Sequence, residues 1–166
     1  MFVGNLRESI QLGRKLAQRL NSKSIILLQG PIGAGKTSFV QGIADGLCIK
    51  EDITSPTFAL SHHYNSGMIP LIHMDLYRLK NNLIAEEFFI SEEEEAIQNE
   101  AIMVIEWPEL IKPILKNFWN IEISYATNFG RNYRILDPKN SLTFEWSGWG
   151  SIAPSPRHVS KPQTLA

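Results

Sequence analysis

The sequence predicts an α/β fold, and three observations predict it. A short apolar, β-branched run, Ser24-Ile25-Ile26-Leu27-Leu28-Gln29, leads straight into a glycine-rich loop, and the loop leads into a segment with apolar residues at helical spacing. Two more apolar runs, at 69–75 and 101–105, read as strands, and an acid closes each of them (Asp75 and Glu106). Between them, residues 83–99 read as a helix. Strands alternating with helices in this way belong to a sheet covered by helices.

In chain order, Ser9 is expected to cap a first helix reaching about Leu20, with Ile10, Leu12, Leu16, Ala17 and Leu20 as its apolar stripe. The strand at 24–29 follows, then the loop from Gly30, then a helix over 36–47 that buries Phe39, Val40, Ile43, Ala44 and Leu47. Residues 57–64 and 69–75 are expected as two strands joined by Asn65-Ser66-Gly67, a hairpin signal. The helix at 83–99 carries Glu92–Glu95, read as a solvated face. After the strand at 101–105, residues 118–125 alternate Ile121, Ile123 and Tyr125 with Glu122 and Ser124, and further strands are expected near 133–136 and 142–146. From Gly150 onward Pro154, Ser155, Pro156, Ser160 and Pro162 predict a disordered tail over 150–166, leaving 1–149 as a single domain.

Composition excludes several function classes. The 166 residues, 43% hydrophobic, suffice for one real core. A net charge of −1 with no basic stripe argues against strong nucleic-acid binding by this chain alone. The single cysteine, Cys48, excludes an internal disulfide and a cysteine-rich zinc site. No stretch approaches the ~18 apolar residues of a membrane span, and the N-terminus lacks a signal-peptide core, so the expected location is the cytoplasm.

The loop Gly30-Pro31-Ile32-Gly33-Ala34-Gly35-Lys36-Thr37 reads G-x-x-x-x-G-K-T. Its glycines let successive backbone N–H groups turn inward around phosphate oxygens, Lys36 would neutralise β- and γ-phosphates, and the Thr37 hydroxyl would ligate Mg²⁺. The helix that follows adds its N-terminus to the anion site. The competing reading, a glycine-rich turn that happens to hold Lys and Thr, does not explain the strand before and the helix after. A phosphate loop needs a carboxylate near its Mg²⁺, and Asp75 and Glu106 are the two candidates, each delivered by an apolar strand to the sheet edge where α/β ligands bind. Trp107 reads either as a nucleotide or partner contact or as a core aromatic. Thr54-Ser55-Pro56-Thr57 reads either as a segment that orders around the γ-phosphate or as a plain proline turn. His62, His63 and His73, with no partnered cysteine, are not read as metal ligands.

The loop, then Thr54-Ser55-Pro56-Thr57-Phe58, then His73-Met74-Asp75-Leu76-Tyr77-Arg78-Leu79, then Val104-Ile105-Glu106-Trp107-Pro108-Glu109 occur in the order and spacing of the TsaE family, also called YjeE. The chain resembles that family over about residues 5–135. The resemblance implies a P-loop NTPase-like three-layer fold with a mixed parallel and antiparallel central sheet. It implies a Mg-ATP-dependent ATPase, weak alone and stimulated by the TsaB–TsaD pair, needed for threonylcarbamoyladenosine (t6A) at position 37 of tRNAs reading ANN codons. Carried over position by position, Gly33, Ala34, Gly35, Lys36, Thr37 and Ser38 cradle the phosphates, and Thr37, Glu106 and Asp75 serve Mg²⁺. Lys36, Asp75 and Glu106 are then the catalytic set. Ser9 matches a residue near the nucleotide base, Trp107 and Thr57 match positions tied to activity, and Gly130-Arg131 resembles a late Gly-Arg motif at the nucleotide. Pro31 and Ile32 depart from the family's usual Asp-Leu, at positions the phosphate-loop pattern leaves open.

Two rivals stand beside this reading. A small-molecule kinase would need a mobile lid carrying several arginines, and the chain has no arginine from 79 to 130, leaving Arg78 and Arg131 as the nearby ones. A nucleotide-gated adaptor would bind ATP and dock a partner with incidental hydrolysis.

Overall fold

In the computed structural model, residues 1–127 and 129–139 are described. Seven strands form one sheet: β1 (Phe2–Val3), β2 (Ile25–Gln29), β3 (Ser61–Tyr64), β4 (Leu71–Asp75), β5 (Ile102–Glu106), β6 (Trp119–Tyr125) and β7 (Arg131–Leu136). Their order is β1-β7-β6-β2-β5-β4-β3. The four central strands, β6, β2, β5 and β4, run parallel, and antiparallel β7, β1 and β3 complete the edges. The mixed sheet is therefore as the sequence led us to expect.

Alternation along the central strands divides the core into two layers. Ile26, Leu28, Leu71, Ile102, Val104, Ile121 and Ile123 face the helices α1 (Leu6–Ala17) and α2 (Lys36–Gly46). Leu27, Ile72, Met74, Met103 and Ile105 face α3 (Asn82–Gln98), through Ala85, Phe89 and Ala96. Such strands, buried on both faces, have to read as nearly continuous apolar runs. That is why β2, β4 and β5 were visible in the sequence.

Four expectations are corrected. Asn5, not Ser9, caps α1: its extended backbone (φ −156°) lets Oδ1 accept the Glu8 N–H at 3.0 Å, while the Glu8 carboxylate accepts the Gly4 N–H at 2.6 Å. Ser9 lies inside the helix, buried, with its hydroxyl donating to the Asn5 carbonyl at 3.4 Å, and the helix stops at Ala17 rather than near Leu20. The strand expected over 57–64 begins only at Ser61, because Leu60, at φ +67°, closes a turn onto the Pro56 carbonyl. Glu92 is not a solvated acid: it accepts from the Ser61 hydroxyl at 3.0 Å and pairs with His63 Nε2 at 2.6 Å, tying α3 to β3. β1 went unforeseen, since two residues show no periodicity. The strand expected near 142–146 and the tail at 150–166 lie outside the described residues. Among the described residues no helix is long and apolar enough to cross a membrane.

α1 and α2 cross so closely that no side chain fits between them at two points. A Cβ on Gly42 would lie 2.1 Å from the Ile10 carbonyl oxygen, and one on Gly13 2.3 Å from that of Phe39. This contact sets Ser9 beside the start of α2. Gly42→Ala should force the helices apart and lower unfolding free energy by about 1–3 kcal/mol in urea titration; an unchanged midpoint would mean the crossing is looser than described.

Candidate functional site

Register brings the acids together. On parallel β4 and β5 Asp75 pairs with Glu106, and on β2 and β5 Leu28 pairs with Glu106, two residues before the loop begins at Gly30. Both carboxylates are buried, at 2% and 3% exposure. His73 and Asp75 fall on the same face of β4 as Leu71, the face toward α2.

The loop between β2 and α2 depends on glycine at both ends. A Cβ on Gly30 would strike the Ile123 carbonyl oxygen at 2.4 Å. Gly35, the residue before α2, sits at φ +98°, a left-handed conformation that aims the first N–H groups of the helix at the space ahead of it. Lys36, only 5% exposed, folds back so that Nζ donates to the Gly30 carbonyl at 2.9 Å and the Pro31 carbonyl at 3.1 Å. Its ammonium also lies 4.0 Å from the centroid of the Trp107 ring. Burial pushes the Lys36 pKa below the ordinary lysine range, against the opposite pull of Glu106, Asp75 and Glu109.

Thr37 and Glu106 meet directly: the hydroxyl donates to Oε1 at 3.0 Å. His73, wholly buried, reaches the same oxygen from Nε2 at 2.9 Å. Because a carboxylate only accepts, Nε2 carries the proton, and Nδ1 has no hydrogen-bond partner. Asp75 is engaged differently. Its Oδ2 accepts the Thr57 hydroxyl at 2.5 Å and the Ser55 hydroxyl at 3.2 Å, and Oδ1 accepts the Tyr77 N–H at 3.0 Å.

These residues enclose a cavity of about 440 Å³, lined by Gly33, Gly35, Lys36, Thr37 and Ser38 on one side and by Ser55, Thr57, Asp75, Tyr77, Glu106 and Trp107 on the other. Trp107 takes a left-handed backbone (φ +57°, ψ +56°), and its ring lies 4.9 Å from that of Tyr77. Thus it lines the cavity and is not a core aromatic. A second cavity, about 220 Å³, lies on the other side of the loop, where Ser9, Ser38 and Arg131 come together. Arg131 does not point at the first cavity; its guanidinium bonds backbone carbonyls of the loop. The site residues singled out in the sequence therefore divide between two adjoining spaces.

The donor set suits a hard divalent cation. Thr37, Glu106 and Asp75 offer only oxygens, and among the described residues no group of three or more His, Cys, Asp or Glu is arranged to hold a metal unaided. An ion bound here would complete its shell with phosphate oxygens and water, the habit of Mg²⁺. His73, turned onto Glu106, supplies no ligand.

Sequence reasoning missed His73, Tyr77 and Tyr125 as site residues. The signal for His73 was present, since it stands two residues before Asp75 on the same strand face. Tyr125 donates its hydroxyl to the Ile32 carbonyl at 2.5 Å, a role hidden behind its place in an alternating strand.

An anion entering the larger cavity should draw Lys36 off the indole face. Titration with pyrophosphate should therefore change tryptophan emission, and Trp107→Phe, which keeps Trp119, Trp146 and Trp149, should abolish the change. A response that survives the substitution would place the anion elsewhere.

Known proteins resemble this one throughout the described region. The family model described as "Threonylcarbamoyl adenosine biosynthesis protein TsaE" matches residues 3–133. A tRNA threonylcarbamoyladenosine biosynthesis protein TsaE from Nostoc is 36% identical over 135 residues, covering 81% of this chain and 83% of the relative. Its counterpart from Synechocystis is 46% identical over 112 residues, covering 65% of this chain and 69% of the relative. The crystal structure of Bacillus subtilis YdiB superimposes with a TM-score of 0.65 at 28% identity, covering 80% of each chain. With the glycine-rich loop, both strand-end acids and the Ser55–Thr57 segment in one cavity, and with a match over residues 3–133, the chain belongs to the TsaE family.

Proposed function

We propose that this protein is a Mg-ATP-binding ATPase, slow alone and stimulated by TsaB and TsaD partners, that serves formation of t6A at position 37 of ANN-decoding tRNAs. The observation that carries the nucleotide reading is that Lys36 and Thr37, at the N-terminus of α2, share one cavity with the buried carboxylates Asp75 and Glu106. The pathway reading rests on membership of the TsaE family, whose relatives are named for threonylcarbamoyladenosine biosynthesis. The net charge of −1 supports leaving tRNA contact to the partners.

In this account the loop N–H groups and the start of α2 receive the β- and γ-phosphates. Lys36 leaves the Gly30 and Pro31 carbonyls and neutralises charge that builds on the leaving diphosphate. Mg²⁺, when bound at Thr37 and Glu106, would supply further neutralisation of the phosphate oxygens. Glu106, fixed by Thr37 and His73, keeps its second oxygen toward the cavity and orients water. Asp75 works through its bonds to Ser55 and Thr57, which place that segment opposite the loop, where a γ-phosphate would lie. Base and ribose would take the smaller cavity at Ser9 and Ser38.

Slow turnover alone follows from the arginines. Arg78 lies over the Phe58 ring, 4.1 Å from its centroid, and Arg131 is occupied by loop carbonyls, so neither is placed as an arginine finger. The stretch from 79 to 130 holds no arginine to build a kinase lid.

Phosphate release from ATP should be slow with this protein alone and rise strongly when TsaB and TsaD are added. Lys36→Ala should lower the stimulated rate by about 10²–10³-fold, and Thr37→Ala should remove its dependence on Mg²⁺. A parental rate in Lys36→Ala, or phosphate appearing on a small hydroxylated acceptor, would overturn the reading.

A further inference from the structure

Every carbonyl along the loop from Gly30 to Ala34 is hydrogen-bonded, and those of Ile32, Gly33 and Ala34 are held from outside the phosphate space. Lys36 takes those of Gly30 and Pro31. The Tyr125 hydroxyl donates to the Ile32 carbonyl at 2.5 Å. Arg131 donates from Nη2 to Gly33 at 3.3 Å and from Nε to Ala34 at 3.1 Å. Its Nη1 donates to the carbonyls of Phe129 and Gly130, at 3.1 and 3.0 Å, which fixes the guanidinium at the end of the β6–β7 hairpin. The same guanidinium stacks 4.6 Å from the centroid of the Tyr125 ring. Tyr125 and Arg131 also face each other across the β6–β7 ladder, so one strand pair supplies both donors.

A trans peptide points its C=O and the next residue's N–H in opposite directions. Holding the Ile32 and Ala34 carbonyls outward therefore turns the N–H groups of Gly33 and Gly35 the other way, toward the larger cavity that both residues line. The intervening Ala34 N–H is taken by the Pro31 carbonyl at 3.2 Å. Without these outer bonds a loop with glycines at positions 30, 33 and 35 has many alternatives of similar energy. We propose that Arg131 and Tyr125 are positioning residues that shape the phosphate-binding loop by clasping its carbonyls from behind, and that neither touches phosphate.

The inference rests on the nucleotide reading above and assigns a division of labour within it. An arginine that reached the γ-phosphate would matter for ATP and not for ADP. A clasp matters for both, because the loop's N–H groups serve the diphosphate common to the two. Tyr125→Phe keeps the ring and its stacking and removes one donor. Arg131→Lys keeps the charge and loses the fork that spans two carbonyls.

The test measures Mg-ADP and Mg-ATP dissociation constants by calorimetry, together with KM and kcat for the partner-stimulated reaction, for parent, Tyr125→Phe, Arg131→Lys and Arg131→Ala. The expected result is weaker binding of both nucleotides to the same extent, about threefold for Tyr125→Phe and roughly tenfold for Arg131→Ala, with Arg131→Lys between. KM should rise in step, with kcat close to that of the parent. Retained ADP affinity with a fallen kcat in Arg131→Ala would overturn the proposal and make Arg131 a phosphate contact. Parental constants in both Tyr125→Phe and Arg131→Ala would overturn it too. A parent that binds neither nucleotide would overturn the nucleotide reading itself, a failure distinct from that of the clasp alone. Should Arg131→Ala fold poorly, Tyr125→Phe carries the same comparison.

Discussion

The buried lysine Lys36 is the constraint on which this site turns. Burial disfavours the charge, as the lowered Lys36 pKa expresses. The compensation visible around it is partial: two carbonyls, an indole face and the field of two buried carboxylates that are themselves bonded to other groups. None of these is an ion pair closed onto Lys36. A phosphate in the cavity would supply the missing counter-charge together with acceptors for the N–H groups at the start of α2. These electrostatics support the proposed nucleotide reading.

The remaining architecture supports that arrangement. Parallel β2, β5 and β4 deliver the loop, Glu106 and Asp75 to one edge in register. The close crossing of α1 with α2 fixes the helix whose N-terminus borders the cavity. The β6–β7 hairpin, through Tyr125 and Arg131, holds the loop from its outer side. Segment 55–57 reaches Asp75 and lines the opposite wall of the cavity.

How much of this was legible in the sequence depended on the range of the interaction. β2, β4 and β5 and the acids ending them could be read because strands buried on both faces have to be apolar throughout. The loop could be read because its glycines answer to backbone conformations that other residues avoid. The sequence set Asp75 and Glu106 at one sheet edge, but their direct pairing could not be read, since it depends on the parallel register of strands 31 residues apart in the chain. Tyr125 and His73 were hidden for a related reason: a tyrosine in an alternating strand and a histidine among apolar residues look like packing until their distant acceptors, the Ile32 carbonyl and Glu106, are known. At the N-terminus Asn5 caps α1 in place of Ser9, supported by Glu8, whose carboxylate reaches back to the Gly4 N–H and the Asn5 side chain.

The most direct test of the account is a crystal structure with Mg²⁺ and a non-hydrolysable ATP analogue. Phosphates are expected in the cavity between the loop at Gly33–Thr37 and segment 55–57, with Lys36 Nζ moved from the Gly30 and Pro31 carbonyls onto a phosphate oxygen. A nucleotide bound elsewhere, or Lys36 still on those two carbonyls beside an occupied site, would contradict it.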